Sequence, residues 1–220
     1  MNTFSGNRYI NSFEETRELA RKKLPKFIFE YIDGSAGTEY GEKNNRQKLK
    51  EIQLKPEILK NISNISTKQK FLGENIQLPF GIAPMGMCQF VHPRADRYLA
   101  CLGRDRKIPI CVSTVASESL ENYWELSEGN AWFQLYVHSD INFAIALVKR
   151  AKKVGYKKLI LTVDVPALGR RPREEIAGFK VPFKLTPQTF LDCALHPKWS
   201  ISNLLAGVPQ PGNFGKNAFD

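Results

Sequence analysis

Between Leu78 and Asp164 short apolar runs alternate with segments of helical period, and this alternation limits the folds open to the chain. The runs are Phe80 to Ala83, Ile108 to Ser113, Ala131 to Tyr136 and Lys158 to Val163. Each is short and followed by turn or polar residues, the pattern of a strand buried on both faces. Between them Pro93 to Lys107, Ser119 to Glu125 and Ile141 to Val154 read as helices. In the last of these, Ala144, Leu147, Val148, Ala151 and Val154 repeat at helical spacing. Strands separated by helices pair in parallel, because a crossover returns the chain to the same end of the sheet. The expectation is an α/β architecture of four βα units over residues 78–164.

Residues 1–77 read as a helical extension with short strands. Asn11-Ser12 precede a helix over Phe13 to Lys23 whose Glu14 and Glu15 suit its first turn. Pro25 opens a second helix, Lys26 to Ile32, and a polar helix covers Thr38 to Leu49. Residues 165–220 are rich in Pro, Gly and Asn and read as a long loop, with one short helix at Pro187 to Leu195. Loops of that length are uncommon unless functional.

The formal net charge of +10 is spread along the sequence rather than gathered into an arginine-rich block. Zinc-finger spacing is also missing, so nucleic acid is not the expected partner, and a basic surface facing anionic lipid or an anionic substrate explains the sign equally well. Cys88, Cys101, Cys111 and Cys193 show no CxxC spacing and no secretory leader is visible, so free thiols in the cytoplasm and no metal are expected. No apolar run approaches membrane-spanning length.

Polar and small residues follow each strand, where parallel barrels deliver side chains to a site. They are Ala83-Pro84-Met85-Gly86-Met87, then Ser113-Thr114, then Gln134 and Tyr136, then Thr162 and Asp164. Strand alternation puts Gln134 and Tyr136 on one face. Converging amide, hydroxyl and phenol groups suit a polar heteroaromatic ring, and small residues let a flat ligand approach the backbone. Taken singly, each is more often structural; Asp164 in particular reads equally well as a cap on the following loop.

The segments LPKFIFEYIDGSAGTE (24–39), LPFGIAPMGMCQ (78–89), VSTVASESLE (112–121), WFQLYVHSD (132–140) and LTVDVPALGRR (161–171) together resemble the FMN-dependent 2-hydroxy-acid dehydrogenases and oxidases. HPKWSISNLLAGVPQPGNFG (196–215) resembles the mobile-loop region of the lactate and mandelate branch. The resemblance implies a TIM-barrel (β/α)8 fold, FMN as cofactor, and oxidation of an L-2-hydroxy acid, lactate first among candidates, to the 2-oxo acid. Electrons would then pass to oxygen, a quinone or a cytochrome. It places Ala83, Pro84, Met85 and Gly86 beside the flavin ring, with Ser113, Gln134 and Thr162 hydrogen-bonded to it. Tyr31, Tyr136 and Arg171 fall at the substrate, and Asp164 at the carboxylate that orients the catalytic histidine. Val115 stands where some members carry tryptophan, which leaves substrate size open.

The chain departs from that pattern in the segments it lacks. The family's SNHGGRQ-type segment, its flavin-facing lysine and its phosphate-gripping loops have no counterpart, and His92, His138 and His196 stand in other contexts. The expected object is a barrel truncated after about four units. By this reading it is inactive alone, prone to aggregation and a weak FMN binder. The readings are a fragment of a gene, one half of a split enzyme completed by a C-terminal chain, or a non-catalytic binding or assembly module that self-associates. The basic segment Phe179 to Lys216 reads as a peripheral membrane contact on the cytoplasmic face or as a lid over the substrate.

Overall fold

The computed structural model describes residues 10–164, 167, 169–180, 185–207 and 209–214. Its helices and strands run in the order α1 (Phe13–Lys23), α2 (Lys26–Asp33), α3 (Tyr40–Glu51), β1 (Gln69–Phe71), β2 (Glu74–Ile76), α4 (Ala95–Arg106), β3 (Ile110–Val112), α5 (Leu120–Leu126), β4 (Ala131–Tyr136) and α6 (Ile141–Val154). After these come β5 (Leu159–Thr162), α7 (Pro172–Ala177), α8 (Pro187–Leu195) and α9 (Pro197–Ala206). They fall into two compact units, one of residues 1–46 and 169–202, the other of residues 47–168 and 203–220.

The second unit holds a parallel sheet in the order β3-β4-β5. Paired residues in a sheet point to the same side, so the register assigns the faces. Cys111 pairs with Trp132, Gln134 with Ile160 and Tyr136 with Thr162, which places all six on one face. The opposite face carries Ile110, Val112, Ala131, Phe133 and Leu135, which form the core with Ala100, Leu120, Tyr123, Ala144, Leu147 and Ala151 of the helices. At about 25 cal/mol per Å² of apolar surface removed from water, this layer is the main source of the unit's stability. The Asp140 side chain accepts from Asn142 N and starts α6, and Gly155 at φ 125° ends it.

The first expected strand shrinks to a single bridge, Ile82 to Ile110. Ile82 N donates to Pro109 O at 2.8 Å and Cys111 N to Ile82 O at 2.9 Å, but Pro79 and Pro84 bracket the segment and lack the N–H a longer ladder needs. Among the described residues the sheet is thus three parallel strands and a bridge, an open α/β sheet. A groove of about 650 Å³ runs along its uncovered face, lined by Phe71, Phe80, Ile82, Trp132 and Ile160 among others.

The expected long loop after Asp164 carries, besides the expected short helix α8, the helices α7 and α9. Pro172 and Pro187 occupy the first helical turn of α7 and α8, where no N–H is required. Thr186 and Thr189 close a reciprocal capping box on α8. Pro166 and, within the segment read as a membrane contact or lid, residues 181–184, 208 and 215–216 lie outside the described residues. No described helix is long and apolar enough to cross a membrane.

In the first unit, α2 buries Phe27, Ile28 and Phe29. Trp199 packs edge-on against Phe27 at 5.9 Å. Arg173 on α7 reaches Glu30, Asp33 and Glu39, the last at 2.8 Å. Sequence reading does not find this cluster, because Arg173 lies more than a hundred residues along the chain from its three carboxylates.

Candidate functional site

Gln134 is the centre of a hydrogen-bonded rim at the C-terminal ends of the three strands. Its side chain is 1% exposed, and a buried amide must find partners. Oε1 accepts from Thr114 N at 3.3 Å, and Nε2 donates to Thr162 Oγ1 at 2.8 Å. Thr114 Oγ1 donates to Gln134 O at 2.7 Å and accepts from Tyr136 N at 2.9 Å. Ser113 Oγ accepts from Val115 N at 3.2 Å. The structure therefore brings Ser113, Gln134, Tyr136 and Thr162 together, with Thr114 as their link. Gln134 Nε2 keeps a second hydrogen, and the Thr162 hydroxyl accepts from Gln134 and keeps its proton to donate. Tyr136 is partly exposed and Asp164, two residues beyond β5, is exposed.

The segment carrying Ala83, Pro84, Met85 and Gly86 runs beside the Ser113 turn. Met87 N donates to Val115 O at 2.9 Å. A Cβ on Gly86 would stand 2.5 Å from Val115 Cγ2, so only glycine permits this approach. Ala83, Pro84 and Met85 are exposed and form an open backbone ledge. Behind it, burial first and then Asp96 push the Cys88 thiol up to about 12, so Cys88 is an inert core residue. Asp96 is itself buried and accepts from Ser117 N at 3.0 Å; burial raises its pKa against the pull of the Ser117 and Glu118 amides.

Tyr31 and Arg171 belong to the other unit. Arg171 Nη2 donates to Tyr31 O at 2.9 Å and to Gly34 O at 2.7 Å, and Nη1 pairs with Glu174 at 2.5 Å. Its guanidinium lies 5.8 Å from the Tyr31 ring centroid. The Tyr31 ring stacks on Phe179 at 4.3 Å. Arg171 thus holds the turn after α2 in place, a role its sequence context did not reveal.

Each histidine makes a local bond. His92 Nδ1 accepts from Arg94 N at 3.2 Å and His138 Nδ1 from Asp140 N at 3.0 Å, while His196 Nδ1 lies 2.8 Å from Asp192 O. Among the described residues no group of three or more His, Cys, Asp and Glu is arranged to hold a metal ion.

Asn213 escaped sequence reading altogether. It is 4% exposed and bonds to Ser113, Thr114 and Leu120. The only local signal was an asparagine in a Pro-Gly-Asn turn, which is far too common to single out.

Residues 20–218 match the sequence profile of the FMN-dependent dehydrogenases. The chain is 37% identical over 202 residues to (S)-mandelate dehydrogenase of Pseudomonas putida, covering 91% of this chain and 51% of that one. It is 34% identical to L-lactate dehydrogenase of Pseudomonas syringae pv. syringae (strain B728a), covering 94% of this chain and 54% of the relative. The crystal structure of the monotopic membrane protein (S)-mandelate dehydrogenase superposes with a TM-score of 0.89 at 35% identity, over 96% of this chain and 56% of that one. Mandelate oxidase with the C4a-OH-FMN adduct gives a TM-score of 0.73 at 28% identity, over 90% of this chain and 53% of that one. The chain therefore spans about half the length of the curated relatives it matches. With the profile covering nearly all of its length and the barrel portion superposing on solved members, the chain belongs to the FMN-dependent dehydrogenase family.

Proposed function

We propose that this chain supplies the ring-facing half of an FMN site that oxidises an L-2-hydroxy acid, lactate first among candidates, to the 2-oxo acid. The observation that carries the reading is the buried Gln134 amide, tied to both Thr114 and Thr162 and still holding an N–H to offer. The Thr162 hydroxyl adjoins it and Ser113 stands at the end of the neighbouring strand, a set of polar groups that fits the polar edge of an isoalloxazine. The ledge at Ala83–Gly86 lets a flat ring meet backbone. When bound, FMN supplies a two-electron acceptor. Ser113, Gln134 and Thr162 would hold and orient its ring, and Tyr136 and Tyr31 would meet the substrate's carboxylate and hydroxyl. Arg171 would add charge for the carboxylate once it exchanges its backbone partners for it. Asp164 would orient a histidine that this chain does not contain. By the family resemblance, proton removal and the grip on the phosphate would need groups that this rim does not supply, and oxygen, a quinone or a cytochrome would accept the electrons. A chain carrying those parts would complete the barrel.

The test is a titration with FMN and with riboflavin, which lacks the phosphate. Both should bind weakly and within about twofold of each other, since only ring contacts are present. Thr162→Val should weaken both about tenfold, the worth of one hydrogen bond of about 1.4 kcal/mol. Stoichiometric, tight FMN binding would refute the half-site reading. Riboflavin binding indifferent to Thr162→Val would remove the ring from this rim.

We also infer peripheral membrane contact from α8, which exposes Phe190, Leu191 and Leu195 at 62%, 62% and 70%. Apolar side chains standing in water on a helix of a basic chain suit an anionic lipid surface. Co-sedimentation with anionic vesicles should fall at least severalfold in Phe190→Asp/Leu191→Asp. Equal sedimentation of both proteins would leave α8 without that role.

A further inference from the structure

Asn213 sits in a segment that sequence resemblance places at the end of a mobile loop, yet it is among the most enclosed polar residues of its unit. Its Oδ1 accepts from Leu120 N at 2.9 Å, a first-turn amide of α5 that has no partner within the helix. Its Nδ2 donates to Ser113 O at 3.4 Å and to Thr114 O at 3.3 Å. The approach is tight. Gly212 N donates to Ala116 O at 2.8 Å, and a Cβ on Gly212 would lie 2.6 Å from Glu118 C and 2.7 Å from Ser119 N. Arg150 Nη1 donates to Asn213 O at 3.2 Å, and the Phe214 ring lies 5.1 Å from Phe143.

The two carbonyls that Asn213 holds belong to the residues that build the rim. Thr114 N and Oγ1 hold Gln134, Gln134 holds Thr162, and the chain leaves on its excursion of residues 163–212 directly after Thr162. Both ends of that excursion are therefore fastened to one hydrogen-bond network. An asparagine suits the second fastening, since it presents a donor and an acceptor at once. An aspartate would keep the Leu120 bond but set a carboxylate oxygen against two carbonyl oxygens.

We infer that Asn213 is a positioning residue: by holding the Ser113–Thr114 backbone it sets the spacing of Gln134 and Thr162. Seating of the excursion's C-terminal end and readiness of the rim for a flavin ring are then one event. The inference rests on the rim being the ring site proposed above, and its test separates the two.

The full chain is compared with Asn213→Asp and Val148→Ala. Val148 packs against the core on α6, so its truncation is a stability control that removes none of the hydrogen bonds described. Two quantities are read beside the thermal midpoint: riboflavin affinity, and hydrogen exchange of the Tyr136 amide, which donates to Thr114 Oγ1. Asn213→Asp should weaken riboflavin about tenfold, as expected for one lost hydrogen bond, and speed Tyr136 exchange. Val148→Ala should leave riboflavin affinity within about twofold and Tyr136 exchange unchanged at a similar loss of midpoint. Variants that differ only as their midpoints differ would make Asn213 merely structural and overturn the inference. A wild-type chain that binds no riboflavin counts against the ring site alone; Tyr136 exchange then decides, and its failure to respond to Asn213→Asp overturns the positioning role.

Discussion

Asp33 closes α2 with its carboxylate shared between two arginines. Arg17 Nε lies 2.5 Å from Oδ1 and Arg173 Nη2 lies 2.7 Å from Oδ2, with the Asp33 side chain only 10% exposed. The Arg17 hydrogen bond is the largest cause holding its pKa below the usual carboxylate value, with Arg173 adding to it and burial opposing. Arg173 likewise lowers Glu39, helped by the Ser35 amide. A depressed folded pKa means the unfolded chain takes up the proton first as pH falls. Asp33's contribution is thus present in full above its unfolded value of about 3.9 and is lost as pH falls through the lower folded value. Asp33→Asn should cost about 2 kcal/mol at pH 7, in the range for hydrogen bonds to charged groups. Urea midpoints followed from pH 7 to pH 3 should show the two proteins converging toward acid. A constant gap across that range would mean the arginines gain nothing from the charge.

At the scale of elements, what could be read along the chain was what neighbours along the chain decide. The period of α6 and the apolar runs of β4 and β5 depend on residues within a turn or two, and those elements stand within a residue or two of their expected places. Ser113, Gln134 and Thr162 were singled out because parallel sheets deliver side chains at the ends of their strands. What escaped depends on partners far away. The Phe80–Ala83 run has a strand's composition, but its two prolines limit it to one bridge. Pro187 was legible as the start of a helix, but Pro172 looked like a loop residue until its helix showed it in the first turn. Thr114 was visible only as a rim residue, not as the link, because that role needs Gln134 and Tyr136 in three dimensions. Asn213 and Arg173 act across long separations on groups that no local pattern pairs.

For the whole molecule, β5 is the exposed consequence of an open sheet. β4 pairs with one side of it, and no strand among the described residues pairs with the other. Leu159 and Leu161 belong to the face that β3 and β4 cover with helices, yet they are 49% and 50% exposed, and Val163 beyond them is 80% exposed. Unpaired backbone beside wet apolar side chains is a template for another strand. The relatives that share this fold are about twice as long, so a complementary set of βα units is the natural cover for both edge and groove. The chain alone should therefore self-associate as its concentration rises, by light scattering or sedimentation velocity. Leu161→Lys should raise the monomer fraction severalfold, because a charge on an edge strand resists a second strand and Leu161 is itself half exposed. Adding a chain that carries the remaining barrel strands of a relative should suppress association of the unmutated protein and, if the rim is the flavin ring site, restore lactate-dependent dye reduction. A wild-type chain that stays monomeric at every concentration, with Leu161→Lys making no difference, would mean the edge is already protected and the sheet needs no partner.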